Sequence, residues 1–368
     1  MAKIPEQGII NSNQYLWILF VIITSFAVLQ VPGLLIFQAG RDAWLSVAAA
    51  WFLDILIAVL YAYMGIRFPG ENCVQYSSSI LGKIFGKIAG FLFIGFFLIV
   101  SVSLMRALSI NINNVLLPKT PLEIILLGAY FIIAYIARKG VEVIGRICEV
   151  LGPLFLLSIT VMFFLALPSV RLDRLKPQLD YGLYPFLSGA ALLLTTLGIC
   201  IAMGWYIPHC NRPEKGFLSK FKAATLGSVM VLLIVVSGIG IFGVEQAGNM
   251  TNPALEIARF IHIGDYLERM EIIWMVIAIG AGIMTTINTI WIFSLGIAQI
   301  VEIKTYKPLV YPAALVSLVL CLTSFPDNIT YLNFAFYSFP ILGLFIQGGL
   351  GLLLLIVALI SGKKGKSN

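Results

Sequence analysis

"TSFAVLQVPGLL", residues 24 to 35, sets a proline and a glycine well inside an otherwise apolar run. Pro32 has no amide to offer the carbonyl of Val28, so a helix through this run is interrupted. A second run, "ALLLTTLGICIAMGWYIP" at 191 to 208, places Thr195, Thr196 and Gly198 near mid-stretch, where hydroxyls and a missing side chain favour local unwinding. What two such interruptions mean depends on what surrounds them.

The surroundings are a lipid bilayer. Of 368 residues 60% are hydrophobic and 11% charged, and the mean hydropathy is +0.99. These values belong to a polytopic membrane protein. Runs long enough to cross a hydrocarbon core about 30 Å thick recur along the chain. Ten are expected, near 14–38, 43–65, 88–112, 122–137, 146–168, 184–207, 222–243, 271–297, 308–325 and 331–360. No soluble domain fits between them, so residues 1–368 read as one transmembrane domain. The first run is too long for a signal-peptide core and has no small-x-small cleavage site before Asp42, so it is retained. The interrupted spans, 1 and 6, hold matching places in two halves of five, about 14–168 and 184–360. That pairing is the pattern of an inverted repeat whose ligand site lies at mid-membrane between broken helices.

Lysine and arginine set the orientation. With the N-terminus inside, sixteen of the 24 fall in inner segments, seven in outer ones, and Arg106 within span 3. This excess predicts cytoplasmic termini. The net charge of +7 follows from the inner loops and excludes nucleic acid as the expected partner. At the first outer turn, "FQAGRDAWLSV" (37–47), Gly40 suits a left-handed helix end and Asp42 a helix cap, with Trp44 at the membrane boundary.

Cys73, Cys148, Cys200, Cys210 and Cys321 show no paired spacing, and His209 and His262 are the only histidines. No metal site, disulfide framework or cofactor is expected. The chain also has no HExxH, nucleophile elbow or phosphate-cradling glycine loop, so an enzyme is not expected.

Five stretches carry a family resemblance: "GRDAWLS" (40–46), "LMRALSI" (104–110), "LPKTPLEIILL" (117–127), "RLKPQLDYGLYPFLSG" (174–189) and "LERMEIIWMV" (267–276). In order and spacing, from about residue 10 to 360, the chain resembles the endospore germination permeases, the B subunits of GerA-type germinant receptors. That family is similar to the amino acid-polyamine-organocation superfamily. The resemblance implies a LeuT-like five-plus-five fold with helices 1 and 6 broken, and a job in the inner membrane of dormant spores. There the chain would recognise a small nutrient, often an amino acid, beside a larger membrane A subunit and a lipoprotein C subunit.

In LeuT-like proteins helices 1, 3, 6 and 8 surround the ligand. The candidates here are Ser25 to Leu29 on span 1, Phe96, Val100 and Ser103 on one face of span 3, Thr195, Thr196, Gly198 and Ile199 on span 6, and Thr285 on span 8. Members often carry glycines in mid helix 1. This chain has "SFAVL", so unwinding there rests on Pro32 and Gly33 or is smaller. Charges inside spans are functional suspects. Asp54 and Arg106 differ in depth by roughly 7 Å, which a long arginine can bridge, although Arg106 can instead snorkel outward or pair elsewhere. Glu268, Arg269 and Glu271 open span 8; the acids suit a helix N-terminus, and Arg269 is read as a gate or subunit contact. The competing reading is a proton-coupled secondary amino acid transporter, with Asp54 or Glu271 as carrier.

Overall fold

The computed structural model describes residues 6, 8–176, 179, 182–197, 199–261 and 270–365. Helix α1 (Ser12–Leu29) starts where the Asn11 side chain accepts from the amides of Asn13 and Gln14 while the Gln14 side chain accepts from the Asn11 amide. This reciprocal cap satisfies amides that the first turn leaves without partners. Next come α2 (Val31–Ala39), α3 (Ala43–Arg67), a short α4 (Cys73–Leu81), α5 (Lys83–Val115), α6 (Leu122–Ala137), α7 (Val141–Ala166), α8 (Leu183–Leu197) and α9 (Ile201–Tyr206). The chain continues as α10 (Gly216–Phe242), two short helices α11 (Val244–Gly248) and α12 (Pro253–Phe260), α13 (Met270–Ile300), α14 (Val310–Thr323), and α15 (Asn328–Asn333), α16 (Phe339–Leu344) and α17 (Gly351–Ile360), the last three joined by π-helical turns.

Among the described residues, eight helical segments are long and apolar enough to cross a membrane. Two shorter apolar helices, Leu122–Ala137 and Lys307–Thr323, stand where spans 4 and 9 are expected. Large apolar side chains such as Ile84, Phe131 and Ile360 face outward. That is the surface a helix presents when lipid rather than water surrounds it.

The centre is α1, buried at every position from Ile18 to Leu29. It packs against α7, α10 and α13, while α5 runs along α13. Small residues permit that approach. A Cβ at Gly296 would lie 2.2 Å from Ile94, and one at Gly282 would lie 2.4 Å from Leu108.

Span 1 is interrupted at a single residue, Gln30, between α1 and α2. Pro32 sits in the first turn of α2, where its missing amide is one that a helix start leaves free anyway. Unwinding there is therefore small. Span 6 is the wider break, with α8 ending at Leu197 and α9 beginning at Ile201. In the turn between spans 1 and 2 Gly40 does take a positive φ of 59°. Asp42 makes no side-chain cap there; its Oδ1 instead accepts from the Leu179 amide at 2.8 Å. Lys220, counted above with the inner loop charges, lies inside α10 with its side chain fully buried.

Candidate functional site

The hydroxyl of Thr285 on α13 reaches α1. Its Oγ1 is 2.8 Å from the Val21 carbonyl, 2.9 Å from Ser25 Oγ and 3.2 Å from the Ala281 carbonyl of its own helix. Ser25 Oγ itself donates to Val21 O at 2.7 Å. A threonine hydroxyl has one hydrogen and two lone pairs, so these contacts form one shared network that ties α1 to α13 at mid-span.

Ser103 is different. Its side chain is 1% exposed, and its Oγ has no hydrogen-bond partner among the described residues. Gly282 and Gly296 meet Leu108 and Ile94 at equal spacing along α13 and α5. That register gives Ser103 the depth of Ile287, within a turn of Thr285, but on the face of α5 that carries Phe96 rather than the one Ile94 and Leu108 turn to α13. Val100 and Phe96 lie on the same helix and are fully buried. Phe96 stacks on Phe339 of α16 with ring centres 5.9 Å apart, and Phe26 of α1 meets the same ring at 5.3 Å.

On α8 the two threonines point their hydroxyls at their own helix. Thr195 Oγ1 donates to Leu192 O at 2.8 Å and Thr196 Oγ1 to Leu193 O at 2.9 Å. Thr195 faces α16 and the π-helical turn after it: a Cβ at Gly343 would lie 2.9 Å from its side chain, and Gln347 Nε2 donates to its carbonyl. It packs against span 10. Ile199 is fully buried in the break. Gly198, Glu268, Arg269 and His262 lie outside the described residues. Glu271 is in the first turn of α13.

The Asp54–Arg106 pairing is not made. Asp54 Oδ2 lies 3.0 Å from Lys220 Nζ, with both side chains fully buried. Asp54 Oδ1 accepts from Cys200 Sγ at 2.9 Å. Lys220 Nζ also donates to Leu197 O at 3.0 Å. Depth along the membrane says nothing about which helix is the lateral neighbour, and α3 packs on α10. Lys220 was hidden in the sequence by Arg212, Lys215 and Lys222, which make its surroundings look like a basic loop. The signal that could have found it was Asp54 itself, because a buried acid requires a counter-charge. Arg106 is half-buried, and its Nε has no hydrogen-bond partner among the described residues. Its charge is felt by Asp327 at the start of α15, whose carboxyl is held below the usual range first by the Thr330 amide and least by Arg106.

Toward each end of the bundle the broken spans meet other segments. At one end the 8–10 segment pairs with the end of span 6: the Ile10 amide donates to His209 O at 2.9 Å and the Asn211 amide to Ile10 O at 3.0 Å. Tyr206 stacks on Trp291 at 5.0 Å, and Tyr306 OH donates to Glu6. At the other end a Cβ at Gly33 would lie 2.1 Å from Met250 O, so α2 abuts the chain leading into α12. The Arg174 guanidinium donates to the carbonyls of Gly240 and Ile241. Beside this contact lies an amide-rich cleft of about 570 Å³ lined by Asn111, Asn114, Gln246, Asn249 and Asn252 among others. No group of three or more His, Cys, Asp or Glu able to hold a metal occurs among the described residues.

This architecture has relatives. The family model described as spore germination protein matches residues 9–330. The chain belongs to the spore germination protein family. It is 26% identical over 322 residues to spore germination protein YndE of Bacillus subtilis (strain 168), covering 86% of this chain and 87% of the relative. Spore germination protein KB of the same organism is 24% identical, with 86% of each covered. Among solved structures the fold matches the nucleobase-cation-symport-1 family transporter Mhp1, in a closed conformation with bromovinylhydantoin bound, at TM-score 0.70. That match is 16% identical and covers 96% of this chain and 79% of the other. MhsT in complex with L-phenylalanine matches at TM-score 0.60 and 14% identity, covering 94% and 97%. The fold is thus that of LeuT-like transporters, and the protein is an integral membrane protein of germination.

Proposed function

We propose that this protein is the nutrient-sensing membrane subunit of a spore germination receptor and that it takes a small zwitterion, an amino acid above all, at mid-membrane between spans 1, 3, 6 and 8. Ser103 carries this reading. A buried hydroxyl without a partner is costly, and a bound ligand would satisfy it. The candidate residues at comparable depth are neutral: the hydroxyls of Ser25 and Thr285, Thr196 and Ile199 beside the span 6 break, and Val100 and Phe96 on the same helix as Ser103. Thr195 lies on the helix that leads into the same break. Backbone and hydroxyl groups without net charge suit a zwitterion better than a polycation or a sugar acid.

Around this site, Pro32 and Gly33 set the span 1 break, and Arg106, Glu268, Arg269 and Glu271 serve the outer face as a gate or subunit contact. The two halves, about 14–168 and 184–360, are inverted repeats. The protein acts with a membrane A subunit and a lipoprotein C subunit in the spore inner membrane, both termini in the cytoplasm, and its output is germination rather than nutrient accumulation. No enzyme activity, cofactor or nucleic-acid partner belongs to this reading.

Deleting the gene should abolish the response to one nutrient class, the intact gene should restore it, and the A and C subunits should co-purify. Loss of no nutrient response, in spores where the chain is demonstrably present before deletion, rejects the reading. The transporter alternative is favoured by one observation, the fold shared with Mhp1 and MhsT. Uptake of a labelled amino acid into liposomes by this chain alone, at transporter rates, decides for it.

A further inference from the structure

The break in span 6 leaves the Leu197 carbonyl at the end of α8, and a buried charge meets it. Lys220, one turn into α10, donates to that carbonyl at 3.0 Å, and its ammonium is held by Asp54 of α3 at 3.0 Å. Across the break, Cys200 donates its thiol to the other oxygen of Asp54 at 2.9 Å. The charge pair thus touches both sides of the interruption. An ammonium and a carboxylate buried together are costly unless further hydrogen bonds complete them. Here those further bonds are made to the two flanks of the break. A pair that served only to fasten α3 to α10 could draw its completing bonds from those two helices; here the ones found go to the flanks of the break.

We propose that Lys220 is a positioning residue for the germinant response: held by Asp54, its ammonium fixes the Leu197 carbonyl and so sets the geometry of the span 6 break against which the ligand is read. The proposal rests on the ligand site lying at that break. Removing one partner leaves the other charge buried and uncompensated, so Lys220→Met and Asp54→Asn alone should both lower protein abundance. The double variant Asp54→Asn/Lys220→Met is neutral, and near-isosteric replacement of a buried pair is often tolerated, so abundance should recover. The break should not.

The experiment measures two quantities on the double variant. One is backbone amide exchange over residues 199–206 in the purified full chain, with the peptide 141–150 of α7 as control; the other is the nutrient concentration for half-maximal germination. Exchange should quicken by about tenfold or more at 199–206 and not in α7, and the half-response concentration should rise by about tenfold. Asp54→Asn/Lys220→Gln, which keeps a neutral donor toward Leu197, should fall between this variant and the wild type. Wild-type values of either exchange or half-response in the Met double variant, at normal abundance, overturn the proposal. So does loss of both double variants from the membrane, because a pair required for the fold itself explains its contacts without any part in the response. If wild-type spores show no response that depends on this chain, the receptor reading fails, while the exchange comparison still decides what Lys220 does to the break.

Discussion

Thr285 and Thr196 carry the same functional group at neighbouring depths, yet the structure gives them different work. The Thr285 hydroxyl joins two helices, whereas that of Thr196 bonds its own. Thr285→Val should therefore raise the half-response concentration by roughly 5- to 150-fold, the equivalent of about 1–3 kcal/mol. Thr196→Val should shift it by no more than about twofold. Dose-response curves with subunit levels checked by immunoblot test this, and the reverse order would move the ligand from α13 toward α8. Ser103 offers a sharper contrast. Because its buried hydroxyl lacks a partner, Ser103→Ala should leave the melting temperature of the ligand-free protein unchanged or raised while weakening the nutrient response. A variant that melts lower and responds normally would make Ser103 a packing residue. From sequence, Ser103 and Thr285 were legible because hydroxyls are conspicuous in apolar spans. The packing of Thr195 against α16 was not legible, since its neighbour Gly343 lies far along the chain.

Elements read less evenly. Span 4 was expected at 122–137, and α6 occupies Leu122–Ala137, because an apolar run bounded by Pro121 and Arg138 leaves little freedom. The span 6 break also followed from composition. The short helices α4, α11 and α12 did not, for they lie across the loops and owe their form to packing: α4 against α5, α11 against α2, and α12 against α13. Span 1 is the instructive case: the sequence denies the Val28 carbonyl the Pro32 amide, the helix yields between the two at Gln30, and Pro32 begins the next segment as a first-turn residue that costs little. Pro32→Ala should accordingly leave thermal stability almost unchanged, rather than strongly raised, while permitting a straighter span 1 and a weaker nutrient response. Melting curves beside dose-response curves would show it; a wild-type response would make the kink irrelevant to function.

For the molecule as a whole, hydropathy made the membrane fold legible, and the order of short motifs made the family legible. Lateral neighbours were not, which is why Asp54 was set against Arg106 and not Lys220. The inverted repeat requires residues 171–176 and 214–222 to lie on opposite sides of the membrane. Single cysteines engineered at Arg171 and Lys215 should react with an impermeant maleimide from opposite faces of sealed vesicles, and labelling from one face would end the five-plus-five reading. The central claim is that a neutral pocket between the broken spans binds a nutrient for sensing. Its most direct measurement is equilibrium binding of the labelled nutrient, identified by gene deletion, to purified receptor carrying wild-type, Ser103→Ala or Thr285→Val protein. The account expects one saturable site per chain, weakened by about 5-fold or more in each variant. Binding at wild-type affinity in both would contradict it and place the nutrient elsewhere.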